Sequence, residues 1–357
     1  MKTLLLVLLL CAPASAKINL DKISLPEGFS ISIFAKGVNG ARSLARGDDG
    51  TIFVGSRRVG KVYALTDADG DGRAETVKVI AKGMHYPNGV AVRNNRLYVA
   101  EINRVLRFAS DLSDYEIITD TLPPDRHHGW KFIRFGPDGM LYVPVGAPCN
   151  ICLPANDPRY ASILQMDPDT GKTTVYASGV RNTVGFDWRP GTSELWFTDN
   201  GRDWLGDDAP PDELNKASQS GLHFGFPFCH GGTIADPDFG HRRPCVEFKK
   251  PERNFGAHTA SLGMRFYTGK MFPAGYSGDV FVAQHGSWNR SAKTGYRIVR
   301  VMMRGGKAVN HEVFAQGWLQ GQRDWGRPVD VLVLPDGSML VSDDKADAVY
   351  RIVYEKP

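Results

Sequence analysis

The sequence predicts an all-β fold, a six-bladed β-propeller in a single domain, and three observations carry that expectation. A strand–turn–strand unit recurs six times, a further alternating strand follows each copy, and no segment of helical period of usable length separates the copies. The first unit runs from Arg42 through Asp-Asp-Gly to Ile-Phe-Val-Gly, the second from Asn88 to Leu-Tyr-Val-Ala, and the third from Phe132 through Pro-Asp-Gly to Leu-Tyr-Val. The fourth, looser, starts at Val184, the fifth at Leu262 and the sixth at Val329. Segments such as Lys61-Val-Tyr-Ala-Leu and Ala348-Val-Tyr-Arg-Ile-Val supply further strands for each unit. Sheets repeated around an axis bury both faces against their neighbours and protect their edges, so six units give six blades.

The strand Phe29-Ser-Ile-Ser-Ile-Phe-Ala lies near no repeat partner and is expected to close the ring as the outer strand of the last blade. The units are more widely spaced in the second half, which places long loops after blades four and five. The stretch from Asp199 to His258, with Pro210-Pro211 and Gly231-Gly232, reads as loop rather than as another domain.

At the N-terminus, Lys2 precedes an apolar run from Leu4 to Leu10 and then Ala14-Ser15-Ala16. That order reads as a signal peptide over residues 1–16, leaving a propeller domain over 17–357 that is periplasmic or secreted and carries no membrane anchor. A net charge of +4 without a Lys/Arg run argues against a nucleic-acid partner. In an oxidising compartment Cys149, Cys152, Cys229 and Cys245 form disulfides by default; three pairings are possible, and we expect Cys149 with Cys152 and Cys229 with Cys245. Residue 153 is Leu, not His, so the Cys-x-x-Cys pair is no c-type haem attachment site.

In a propeller the inner strands begin at one end of the axial channel, so residues far apart in sequence converge there. Here those starts are polar: Arg42, Asn88, His128, Arg181 with Asn182, Thr259 and Arg327. Arginine stays charged and prefers planar carboxylate or phosphate partners, so three guanidinium groups at one point call for an anion among them. His127 and His128 precede the third unit at the same level, and a histidine there suits a general base that takes a hydroxyl proton. Register favours His128.

These residues sit in longer motifs: His128-Gly-Trp-Lys-Phe-Ile-Arg-Phe-Gly-Pro-Asp-Gly, Gly179-Val-Arg-Asn-Thr-Val-Gly-Phe, Asn200-Gly-Arg-Asp-Trp-Leu-Gly-Asp-Asp, Pro211-Asp-Glu-Leu-Asn, Gln284-His-Gly-Ser-Trp-Asn-Arg and Gly326-Arg-Pro-Val-Asp-Val. Through them most of the chain resembles the soluble pyrroloquinoline-quinone (PQQ)-dependent sugar dehydrogenases, the glucose/sorbosone dehydrogenase group. The resemblance implies oxidation of a sugar, sorbosone-like aldehyde or other polyol by hydride transfer to PQQ. It implies His128 as base and Arg42, Arg181, Asn182 and Arg327 as cofactor-binding residues, and the position of Asn88 at a strand start adds it to that set. It further implies a Ca2+ held by backbone carbonyls at Gly201 and Arg202, polarising the quinone. With no haem motif, electrons would leave to a separate acceptor, a soluble cytochrome or quinone carrier. The chain departs from the glucose-oxidising pattern at Arg202, where a proline is expected, and at Val329, where a second arginine is expected.

A second calcium candidate, Asp67-Ala-Asp-Gly-Asp-Gly-Arg, opens like an EF-hand loop but has Lys78 at the twelfth position, which favours a solvated acidic turn. Two other functions fit parts of the pattern. A calcium-dependent lactonase would use Asn88 and Asn182 but not the arginines, and a non-catalytic binding module would need no base.

Overall fold

The structure, a computed structural model, describes residues 18–153 and 157–356; the segment read as a signal peptide lies outside them. Six antiparallel blades of four strands each surround the axis, and the third carries a short fifth strand, Leu222–His223. The inner strands are Ala41–Arg46, Gly89–Arg93, Arg134–Phe135, Phe186–Trp188, Ser261–Phe266 and Pro328–Val333 for blades 1 to 6. The expected closure holds. Phe29–Lys36 pairs with Ala348–Tyr354, Phe29 opposite Tyr354, and so forms the outer strand of blade 6.

Alternation explains why the sheets stack. Successive side chains leave a strand on opposite faces, so each second strand feeds two different seams. Phe53 packs between blades 1 and 2 while Val54 packs between blades 6 and 1. Trp196 and Phe197 divide between the 4–5 and 3–4 seams in the same way, as do Leu340 and Val341 between the 6–1 and 5–6 seams. Among the described residues six large apolar clusters result, one per seam, with two small ones besides, in place of a single central core.

Buried polar side chains tie adjacent inner strands together. Asp330 of blade 6 accepts from the Leu44 N–H of blade 1 at 2.9 Å and from Arg265 of blade 5 at 3.3 Å. Asp187 of blade 4 accepts from the Phe266 N–H of blade 5 at 3.0 Å.

The loop expectation needs correction. The long connection lies inside blade 4, not after it, because Pro211–Ala217 and Arg253–Ala257 complete that blade as its third and fourth strands. In blade 5 residues 285–296 link the second and third strands, and a small ribbon, Leu319–Gln320 with Arg323–Asp324, follows the blade. Both expected disulfides are present, Cys149 to Cys152 and Cys229 to Cys245. Among the described residues no helix is long and apolar enough to cross a membrane.

Candidate active site

A cavity of about 420 Å3 opens at the end of the axis where the inner strands begin. Arg42, His128, Arg181, Asn182, Gly201 and Arg327 line it, from blades 1, 3, 4 and 6. Three expected residues do not. Asn88 is fully buried beside the cavity, where its Oδ1 accepts from Arg42 Nε at 2.9 Å and its Nδ2 donates to the Lys131 carbonyl at 2.7 Å. It steadies Arg42 rather than facing a ligand. Arg202 turns its side chain away to Asp236, 2.6 Å, and Asp238, 3.2 Å, so no cationic side chain stands beside Gly201 from that position. Thr259 is likewise set back, donating to Asp212 at 2.7 Å.

The polar residues ending the second strands fix the ligand-facing backbone. Asp199 accepts from the N–H groups of Arg181, 2.8 Å, and Asn182, 2.6 Å. Asp343 accepts from the N–H of Arg327 at 2.9 Å. Burial pushes the Asp199 carboxyl up to about 7 and that of Asp343 up to about 6.

His128 is buried in the left-handed backbone region at φ 48°. Gly146 makes this possible, because a Cβ there would lie 2.4 Å from the His128 Cβ. The His128 Nδ1 lies 2.9 Å from the Ala147 carbonyl. A carbonyl can only accept, so Nδ1 carries the proton and Nε2 the lone pair. Burial first, then the charge of Arg181 and the neighbouring His127, hold its pKa well below 6.5.

The arginines are not bare. Asp344 Oδ2 accepts from Arg42 Nη1 at 3.1 Å, while Oδ1 takes Arg327 Nε at 3.1 Å and His285 Nε2 at 3.0 Å. Arg181 reaches Asp203 at 3.3 Å and the carbonyls of Asn200 and Gly201 at 3.1 and 2.9 Å. The protein thus supplies counter-charges of its own, so part of the anion expected among the arginines is Asp344 and Asp203. Five arginines line the cavity, counting Arg57 and Arg58, against Asp203, Asp212 and the bridging Asp344, so a cationic surplus remains.

The donor set on the blade 4 wall suits a hard cation. Asn200, Gly201, Asp203 and Asp212 line one side of the cavity with carbonyl and carboxylate oxygens. Gly201 is required there, since a Cβ would meet the Pro211 carbonyl oxygen at 2.9 Å. Arg181 already engages two of those carbonyls, so a bound cation would share or displace that contact.

At the rim Trp204 and Trp288, 66% and 71% exposed, meet edge to face with ring centroids 5.5 Å apart. Away from the cavity, Asp67, Asp69, Asp71 and Glu75 bring carboxylate oxygens within 4.8 Å of one another. Glu75, in the ninth position of that loop, was not part of the sequence expectation.

A family model described as TrAA12-like matches residues 23–355. The chain belongs to the TrAA12-like family. It is 33% identical over 355 residues to an uncharacterized protein of Borreliella burgdorferi, a match covering 94% of this chain and 91% of that one. Among solved structures, a calcium structure of the Trichoderma reesei carbohydrate-active enzyme of family AA12 superposes with a TM-score of 0.83 at 18% identity, covering 97% of this chain and all 100% of that one. The holo form of the pyranose dehydrogenase PQQ domain from Coprinopsis cinerea follows at 0.78 and 18% identity, with 93% of this chain and 97% of that one covered. The PQQ-bound aldose sugar dehydrogenase of Streptomyces coelicolor gives 0.65 at 19% identity, with 93% and 100% covered. These structural likenesses show that the TrAA12-like chain shares their propeller fold. The resemblance read from its motifs names the same group of proteins.

Proposed function

We propose that the chain is a PQQ-dependent dehydrogenase that oxidises a hydroxyl-bearing carbon of a sugar, sorbosone-like aldehyde or related polyol in the axial cavity. The observation that carries this reading is a neutral His128, its tautomer fixed by the Ala147 carbonyl, on the wall of a cavity with surplus arginine charge. PQQ, when bound, supplies the hydride acceptor. Its carboxylates fit Arg42, Arg181 and Arg327, each of which already holds a planar carboxylate of the protein, with Asn182 beside them. His128 takes the substrate hydroxyl proton at Nε2 as the carbinol carbon gives up its hydride.

The oxygen-rich wall at Asn200 and Gly201 is where a calcium ion would be held; Arg202 offers at most its backbone there. The exposed Trp288 ring, braced edge to face by Trp204, offers a flat apolar face at the rim that suits the C–H face of a pyranose ring. Two disulfides accord with an exported protein, periplasmic or secreted, that passes its electrons to a separate acceptor.

The test is reconstitution of purified protein with PQQ and calcium, followed by reduction of an artificial dye across a panel of aldoses and alcohols. Turnover that needs both additions is expected. No turnover on any member, together with no PQQ binding, would overturn the proposal, and lactone hydrolysis without added quinone would favour a hydrolase in its place.

A further inference from the structure

Arg57 follows the second strand of blade 1, Ile52–Ser56, and lines the same cavity. Its situation differs from that of Arg42, Arg181 and Arg327, each of which has a carboxylate within 3.3 Å. The guanidinium of Arg57 lies 4.4 Å from the centroid of the Trp130 ring, and it donates to no carboxylate or carbonyl among the described residues. Stacking on an aromatic face fixes a guanidinium plane while leaving its edge N–H groups free. Burial, then the charge of Arg42, pushes its pKa down to about 10, which still leaves it charged near neutrality.

A half-buried, oriented cation without a hydrogen-bonding partner is costly unless a ligand completes it. Arg58 beside it is exposed and can be satisfied by water. We propose that Arg57, held over Trp130, is a carboxylate-binding residue of the cavity that receives one carboxylate of a bound ligand. A carboxylate reaches this cavity from one of two sources: the quinone cofactor, in which case the inference rests on the reading above, or an acidic sugar such as a uronate, in which case it stands apart from it.

Equilibrium titration of the whole protein with calcium present separates these sources, with PQQ and glucuronate as probes and glucose as neutral control. Arg57→Gln should weaken one probe by about 10- to 100-fold, the size of a lost charge-assisted hydrogen bond, without changing glucose binding. Loss of PQQ affinity assigns the cofactor, and loss of glucuronate affinity with PQQ intact assigns an acidic substrate. Trp130→Leu, which keeps the charge but removes its platform, should weaken the same probe. Arg57→Gln should melt no lower than the wild type, since Arg57 makes no ion pair among the described residues and its unpartnered charge is costly without a ligand.

If Arg57→Gln binds both probes as the wild type does, the inference fails while the proposed function stands. If the wild type ignores PQQ but binds glucuronate through Arg57, the proposed function fails and the inference stands. A wild type that binds neither probe overturns both.

Discussion

Asp344 holds Arg42 across the seam where blade 6 meets blade 1, with 3.1 Å between Oδ2 and Nη1, in a site where Arg42 is buried and the Asp344 side chain is only 10% exposed. Burial raises the pKa of this carboxyl, but His285 and the guanidinium groups of Arg42 and Arg327 outweigh it and hold it well below the usual carboxylate range. Its contribution to stability is therefore present above the ordinary carboxylate pKa and is lost as pH falls below it.

Replacing Asp344 with Ala leaves a buried guanidinium without its charge partner. Breaking a buried pair in this way costs about 3–5 kcal/mol, which denaturant unfolding would read directly. PQQ should raise the melting temperature of Asp344→Ala by more than that of the wild type, because its carboxylates replace the lost charge. A variant as stable as the parent contradicts the pairing.

The lowered pKa of His128 sets a pH profile. The imidazole is neutral in the folded protein, so the acid limb of kcat/KM should fall below pH 6.5, with no rise from this group above it. The same shift destabilises the fold in acid, since the unfolded chain takes up the proton first. His128→Gln should lower kcat by about 10^2- to 10^4-fold with little change in PQQ affinity. An ordinary histidine limb centred near neutrality would speak against His128.

Chelation tests the blade 4 wall. Removing calcium should weaken PQQ binding, and calcium should restore it better than magnesium, which demands a tighter octahedral shell. Gly201→Ala should weaken calcium binding as well, because its Cβ is driven against Pro211 and shifts the carbonyl. Unchanged PQQ affinity in chelator would remove calcium from the account.

Trp288 lines the cavity and stands exposed against Trp204, so Trp288→Ala should raise KM for a pyranose about three- to tenfold while kcat changes little. A fall in kcat alone would place the ring elsewhere in the reaction.

Blade number and ring closure were legible because a period of two forces every strand to feed two seams, as Phe53 and Val54 do. The repeat register also carried Arg42, His128, Arg181, Asn182 and Arg327 to one cavity. It stopped short at Asn88, whose amide turns between blades, and at Arg202, whose side chain finds Asp236 in the long blade 4 connection. Asp344 and Arg57 escaped notice, and Trp288 stood in a motif without a role, because all three follow second strands, in loops that the repeat does not constrain. One signal was available. Asp199 and Asp343 end the second strands of their repeats in the same slot, and both cap the backbone of a cavity arginine.

The central claim is that the axial cavity binds PQQ through arginines contributed by separate blades. Titration of the apoprotein with PQQ in calcium, followed by quenching of tryptophan fluorescence, measures it most directly. One equivalent should bind, with affinity reduced about 10- to 100-fold in Arg327→Gln and further as salt is raised. Absence of saturable binding, or Arg42→Gln, Arg181→Gln and Arg327→Gln all binding as the wild type does, would contradict it.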